Sequence, residues 1–341
     1  MESGGEALEP RGAVGHFRWQ RAVPWLLVAA ALAHPIARGL ARWDWRIDLL
    51  THFQGVALVV TLGSVVGLAR RHRRLAAALL VLALVQVEPL VRYQGGNPVS
   101  PDPKSTDRLR ILLANVLVDN PDHERLIQLV HQERPDVLAL VEVSKDWLAG
   151  LTVLRRDYPY RISAPDGARG LALWSRHPLT SSEGPTQPTD NGWPFLHATL
   201  RFAGQDLDLW LVHPASPLRR RHYERRGYLE LRAIAERVGR EAGPRLVVGD
   251  LNTTAGSPYF AEFLRVSGLR DSRLGFGPQP SWPTWSPYRI AIDHALPSRE
   301  LAVVERRLGP MIGSDHRPLI LVLAPAAGVR YSEVQSSQSS P

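Results

Sequence analysis

Cysteine is missing from all 341 residues and lysine nearly so, with Lys104 and Lys145 the only two lysines among 41 basic side chains. Without cysteine there is no thiol catalysis, no thiolate metal site and no disulfide staple, although the absence does not choose between the cytoplasm and an oxidising exterior. The scarcity of lysine reads as genomic base composition rather than function. Charge of one sign is also scarce where a nucleic-acid-binding domain would need it. The chain carries a formal +8, yet residues 1–100 hold 11 Arg against 6 acids, while residues 101–341 hold 30 basic against 27 acidic side chains. A polyanion-binding surface is therefore not demanded by composition. At 44% apolar residues the chain is not a disordered polymer, and its length leaves room for a full-sized enzyme domain.

Long apolar runs are confined to the first hundred residues. Ala22–Leu40, Leu49–Ala69 and Leu75–Val91 each approach the ~20 residues that cross a hydrocarbon core of about 30 Å. The second is the clearest, because between Phe53 and Ala69 nothing is charged and only Gln54, Thr61 and Ser64 are polar. His34, Pro35 and Arg38 interrupt the end of the first, and Gln86, Glu88 and Pro89 lie near the exit of the third. A cleaved signal peptide explains one such run at most. A buried helical hairpin of a soluble domain is the competing reading, but three runs in a row, separated by short Arg-bearing loops, favour three transmembrane helices.

Arg11, Arg18 and Arg21 precede the first run, and Arg70, Arg71, Arg73 and Arg74 form the turn between the second and third. The positive-inside rule places both groups in the cytoplasm. The expectation is a multi-pass protein of the cell (inner) membrane. Its cytoplasmic N-terminus covers 1–21, its membrane anchor 22–91 and a Pro-rich linker 92–107, followed by an extracytoplasmic domain over 108–325 and a disordered tail over 326–341.

After the linker the pattern becomes α/β. Leu109–Ala114 and Val137–Val141 read as short buried strands flanking a helix over Asp122–Glu133 with apolar Leu126, Ile127, Leu129 and Val130. Further strands are predicted at Gly170–Trp174, Phe195–Phe202, Leu207–Val212, Arg245–Val248, Ile290–Leu296 and Leu319–Leu323, and one long amphipathic helix over Arg219–Arg240. Polar residues suited to metal and phosphate chemistry recur where these strands should end. Asn115 closes the first, Glu142 the second, His213 the strand Leu207–Val212, and Asp250 with Asn252 the strand Arg245–Val248; Asp293 and His294 interrupt an apolar run, and Asp315 and His316 precede the last strand. Singly, each has a bland alternative: Asn115 as a turn cap, Glu142 as a first-turn helix acid, His213 as a turn histidine beside Pro214. As a set at one rim of a sheet, hard oxygen ligands suit Mg²⁺ or Mn²⁺, which can polarise a phosphoryl oxygen and activate water.

The ordered motifs are Leu113-Ala114-Asn115, Pro135 to Val143, Gly170 to Arg176, His213 to Pro217, Gly249-Asp250-Leu251-Asn252, Ile292-Asp293-His294 and Ser314-Asp315-His316. In this order the chain resembles the endonuclease/exonuclease/phosphatase superfamily. The resemblance implies a four-layer α/β/β/α sandwich with its site at one end of two packed sheets, preceded here by the three transmembrane helices. It implies Glu142 as principal metal ligand, with Asn115 as a further ligand or orienter and Asp315 sharing the ion. It implies His316 as the catalytic histidine paired with Asp293, Asp250 aligning or deprotonating the attacking water, and Asn252 and His213 holding phosphoryl oxygens. Val141 and Leu117 stand where some nuclease members carry Gln and an acid, departures that weigh against a nuclease. Arg219, Arg220, Arg221, Arg225 and Arg226 read either as a solvated helix face or as an anion-binding rim, with Arg219 and Arg220 the candidate substrate contacts. Trp193, Trp282 and Trp285 either line a substrate mouth, touch the bilayer or anchor loops.

The expected activity is Mg²⁺- or Mn²⁺-dependent hydrolysis of a phosphate ester, phosphodiester or pyrophosphate, with a lipid-linked substrate favoured by tethering. No protein partner is expected. An extracytoplasmic nuclease and a catalytically silent envelope-binding protein are the alternatives.

Overall fold

The computed structural model describes residues 14–96, 99–189, 192–217 and 226–328. The described part of the first hundred residues forms four helices: α1 (Val14–Leu40), α2 (Trp45–Thr51), α3 (Gln54–Leu68) and α4 (Arg73–Arg92). Helices α1, α3 and α4 pack through Ala31, Leu68, Ala76 and Leu79. Their outer faces leave large apolar side chains exposed, among them Trp25, Val66, Leu84 and Val85. That belt is far more apolar than a water-facing helix surface.

Among the described residues two helices, Ala22–Leu40 and Arg73–Arg92, are long and apolar enough to cross a membrane, and the number rises to three if α2 and α3 count as one bent span. The second run was expected to be the clearest span, and here the structure corrects the sequence. Leu49–Ala69 is not one helix: α2 and α3 meet at a 68° bend, and the 15 residues of α3 rise only about 22 Å. The physical cause is that α2 belongs to the folded domain. Its buried Asp48 accepts hydrogen bonds from Tyr228 Oη (2.6 Å) and Ser257 Oγ (3.0 Å), and His52 Nδ1 lies 3.0 Å from Thr254 Oγ1. Polar groups held in this way cannot continue an apolar helix through lipid.

The rest of the chain builds two sheets. It first lays down β1 (Leu109–Asn115), helix α5 (His123–Glu133), β2 (Val137–Val141), helix α6 (Lys145–Gly150), β3 (Tyr160–Ala164) and β4 (Leu171–Ser175). It then crosses to form β5 (Leu179–Thr186), β6 (Phe195–Phe202), β7 (Gln205–Val212), helix α7 (Arg226–Arg240), β8 (Arg245–Asp250), helix α8 (Pro258–Ser267) and β9 (Asp293–Pro297). It returns with β10 (Leu301–Leu308) and β11 (Leu319–Pro325). The strand orders are β10-β11-β1-β2-β4-β3 and β5-β6-β7-β8-β9.

Period-two alternation decides how the sheets stack. Leu109, Ile111 and Leu113 of β1 meet Leu196, Ala198, Leu207 and Leu209 of the other sheet in one fully buried core. The intervening Leu112 and Ala114 face outward onto Leu126, Leu129 and Val130 of α5. Trp210 and Val212 likewise face Leu231, Ile234 and Val238 of α7, with Phe260 and Phe263 of α8 beside them. Each fully buried Leu or Val contributes about 1.5–3 kcal/mol, so these three clusters hold the helices on both outer faces.

Each sheet has one central parallel pair, β1 with β2 and β7 with β8, joined through α5 and α7. Parallel strands end on the same side, so Asn115 and Glu142 emerge together, as do His213 and Asp250. Antiparallel β9 starts at that side with Asp293 opposite Asp250, and β11 starts there opposite the end of β1.

Several elements depart from expectation. The run Ile290–Leu296 is strand only from Asp293, because Ile290 instead pairs with Trp282 in an isolated bridge and the Ile292 carbonyl accepts from Leu251 N. The described part of the long amphipathic helix begins at Arg226; residues 218–225 lie outside the described residues. The predicted tail lies outside them from residue 329 onward.

Candidate active site

The motif residues converge on a cleft of about 340 Å³ at the shared strand end. Backbone conformation aims them. Leu117, Glu142 and Asn252 adopt φ of 60°, 61° and 51°, a left-handed region costing of order 1–3 kcal/mol for a non-glycine residue and found where function constrains the chain. Gly249 precedes Asp250 because any side chain there would collide with the neighbouring strand: a Cβ would stand 1.8 Å from the Val212 carbonyl oxygen.

Asn115 is central. Its Nδ2 donates to Glu142 Oε1 and to Asp250 Oδ2, both at 3.1 Å, and lies 3.3 Å from His316 Nε2. Its amide oxygen accepts from Leu117 N at 3.1 Å, so Asn115 acts as an orienter of the two carboxylates in this arrangement. Glu142 Oε2 takes a longer bond from Val118 N at 3.4 Å. Across the cleft, Asp315 Oδ2 accepts from Trp282 Nε1 at 2.9 Å while its Oδ1 lies 4.0 Å from His316 Nε2.

His316 and Asp293 form the expected pair: Nδ1 to Asp293 Oδ2 is 2.8 Å, and both are buried. Asp250 sits between two imidazoles, 3.6 Å from His316 Nε2 and 3.7 Å from His213 Nε2, and its Oδ1 accepts from Asn252 N at 2.9 Å. Asn252 Nδ2 donates to the Pro214 carbonyl at 3.0 Å, tying the His213 turn to the Asp250 turn. Burial pushes the Asp250 carboxyl well above the usual carboxylate range, an effect that His316 opposes and Asp293 reinforces. Burial alone would lower the His316 imidazole, but the carboxylates of Asp293 and Asp250 outweigh it and raise its affinity for a proton. Asp293 is held down despite burial by its contact with His316.

Ligand atoms of Asp250, Asp293 and His316 lie within 4.8 Å of one another, and Glu142 and Asp315 add two further carboxylates to the same cleft. An oxygen-rich set of this kind fits a hard divalent cation.

Trp193 and Trp282 both line the cleft, Trp193 edge-on to His213 at 5.1 Å between ring centroids, whereas Trp285 is exposed. Arg219 and Arg220 lie outside the described residues. Sequence reasoning missed one wall altogether. Leu49, His52 and Phe53, from the bend between α2 and α3, line the cleft beside Glu142, Asp250 and His316. The only hint was a polar Thr51-His52 pair inside an otherwise apolar run.

Residues 112–316 match the Endonuclease/Exonuclease/phosphatase family, more than half of the chain. The chain belongs to that family. Its members hydrolyse phosphoester bonds, typically with a divalent metal. Among solved structures, the chain is similar to a humanized D. rerio TDP2 carrying 14 mutations, at 20% identity and a TM-score of 0.54, covering 63% of this chain and 98% of that one. It is similar to a family protein from Leptotrichia buccalis at 19% identity, TM-score 0.52 and coverage of 62% and 98%. The human Nocturnin catalytic domain with bound sulfate anion aligns at 18% identity and TM-score 0.52, covering 64% and 94%. No curated protein matches the chain. At these identities the neighbours establish the shared two-sheet fold.

Proposed function

We propose that the protein is a membrane-anchored, divalent-metal-dependent phosphoric ester hydrolase that acts outside the cytoplasm on a lipid-linked phosphate or pyrophosphate. The observation that carries this reading is the composition of the cleft: one wall is the bend of the apolar helical segment itself, through Leu49, His52 and Phe53. A site closed by its own anchor meets membrane-resident molecules at high effective concentration. The exposed apolar belt on α1, α3 and α4 supports the anchoring half of the proposal.

Glu142 and Asp315 would hold the cation, with Asn115 fixing the Glu142 carboxylate. When bound, Mg²⁺ or Mn²⁺ supplies Lewis-acid polarisation of the phosphoryl oxygen. Water attacks phosphorus in line with the leaving oxygen. Asp250, whose buried carboxylate has a raised proton affinity, accepts the proton from that water. His316, held protonated by Asp293, donates to the developing negative charge. His213 and Asn252 would hold the same oxygens.

The test is hydrolysis by detergent-purified protein with Mg²⁺, or with Mn²⁺, on a prenyl pyrophosphate, on phosphatidic acid and on DNA, beside Glu142→Ala and His316→Ala. The expected result is lipid phosphate release that drops by about 10²–10⁴ in either variant. Activity unchanged in both variants would sink the mechanism, activity on DNA alone would make the protein a nuclease, and none on any substrate would favour a binding role.

A further inference from the structure

The catalytic cleft adjoins a second cavity of about 420 Å³, and His52, Phe53 and Ile290 line both. One side of this second cavity is the first turns of α3, at Gly55, Val56 and Val59, with Leu90 of α4; the other side is the segment 287–291 of the folded domain. Its far end reaches Val59, which is 65% exposed on the apolar belt of the helices. The two adjoining cavities together therefore stretch from the phosphate chemistry to the face that the proposed function puts in lipid. Two guanidinium groups line it: the Asp271 carboxylate neutralises Arg273, and the carbonyls of Ser286 and Thr284 hold Arg289 in place. Val56, Val59, Leu90 and Pro287 on its walls offer an alkyl chain an apolar bed. Exposed Trp285 and Tyr288 beside it are the side chains that prefer a membrane–water boundary.

We infer that this cavity seats the hydrocarbon chain of the substrate while its phosphate lies between Glu142 and His316. The inference rests on the proposed lipid-phosphate hydrolase and adds to it a substrate class: a phosphate or pyrophosphate ester carrying a long apolar chain next to the head group. Each methylene placed in the groove strengthens binding about fourfold, so chain length governs affinity and leaves the chemical step alone.

Gly55 is the place to test this, because a side chain built on it meets nothing within 4 Å, and it lines the groove away from every catalytic group. The full-length protein in detergent with Mg²⁺ is assayed on farnesyl and dimethylallyl pyrophosphate, which share a head group and differ in chain. The expected KM is at least about tenfold lower for the farnesyl ester. Gly55→Phe removes that advantage and leaves kcat, and both constants for the short ester, unchanged; Gly55→Leu does so in part. A farnesyl probe photoreactive at its chain terminus should crosslink within residues 54–59 of the unaltered protein, which needs no variant to fold.

Equal KM values for the two esters, or a crosslink only to the cleft around Trp193, would overturn the groove while leaving the hydrolase intact. Failure of the unaltered protein to hydrolyse either ester or phosphatidic acid would overturn the parent reading, and the groove with it.

Discussion

At the scale of single residues, the site depends on titratable groups buried from solvent, and their titration sets how the fold tolerates acid. Asp293 and its neighbour His294 leave β9 on opposite sides. Asp293 meets His316, whereas His294 enters the packing against Phe260 and places Nε2 2.9 Å from the Thr253 carbonyl. Burial, reinforced by the positive charge of Arg273, pushes the His294 imidazole down to about 3. Asp271 moves the other way from what burial favours: the Arg273 guanidinium holds its carboxyl well below the usual range.

Both shifts destabilise the fold in acid, in separate windows. Between about pH 6.5 and 3 the unfolded chain binds a proton at His294 that the folded chain refuses, so stability falls as pH falls, by up to about 1.4 kcal/mol per pH unit. Below about pH 4 the unfolded chain also protonates Asp271 while the folded chain does not, and a second loss begins. The raised carboxyl of Asp250 takes up a proton in the folded state over the same range and offsets part of the first loss, so both windows are read as differences between variants in denaturant unfolding in detergent from pH 8 to pH 3. His294→Gln should make the upper window less steep in acid than it is in the unaltered protein, and Asp271→Asn should do so in the lower. An upper window identical in His294→Gln and the unaltered protein would show that another group carries it. These partners were not legible in the sequence, because Asp271 and Arg273 sit in a segment without periodicity and meet β9 only through the fold. The motif residues were legible, since each stands at the end of a strand whose apolar run announces it.

At the scale of elements, helix α2 decides how the anchor meets the domain. Tyr228 and Ser257 donate to the buried Asp48 side chain, and the Thr51 hydroxyl donates to the Asp48 main-chain carbonyl at 2.7 Å. Gly256 makes the approach close: a Cβ there would stand 2.2 Å from the Thr51 carbonyl oxygen. Asp48→Ala strands the Tyr228 and Ser257 hydroxyls in a buried contact and should cost about 3 kcal/mol. Gly256→Val should act similarly by forcing the two segments apart. Because His52 and Phe53 follow directly and wall the cleft, both variants should raise KM for a membrane substrate as well as lower the thermal midpoint. A lowered midpoint with unchanged KM would separate docking from catalysis. Nothing in the local sequence revealed this contact. The polar groups that break the apolar run at Asp48, Thr51 and His52 find their partners some two hundred residues away, so the run reads as one continuous span. Strands β3, β5 and β10 were also missed: β3 is a short edge strand of five residues, β5 (LTSSEGPT) lacks an apolar alternation, and β10 is interrupted by a register shift between Val303 and Glu305.

At the scale of the whole molecule, the cleft, the groove and the bend of α2 all lie at the same end of the helices, where α4 hands over to the domain through Tyr93, whose hydroxyl donates to Asp271 at 3.2 Å. The turn carrying Arg70, Arg71, Arg73 and Arg74 lies between α3 and α4, at their opposite end. If the helices cross a bilayer, the Arg turn and the cleft must face different compartments. The positive-inside rule then puts the cleft outside the cytoplasm. The absence of cysteine makes the orientation directly measurable, because one introduced thiol is the only thiol in the chain. Val153→Cys lies on the exposed surface of the domain, and Arg71→Cys lies in the Arg turn. In intact cells a membrane-impermeant maleimide should label the first and not the second, and permeabilisation should make both reactive. The reverse pattern would place catalysis in the cytoplasm and remove the case for an extracytoplasmic lipid phosphate. Labelling of both in intact cells would mean that the helices do not span, and the apolar belt of Trp25, Val66, Leu84 and Val85 would then need a protein partner to cover it.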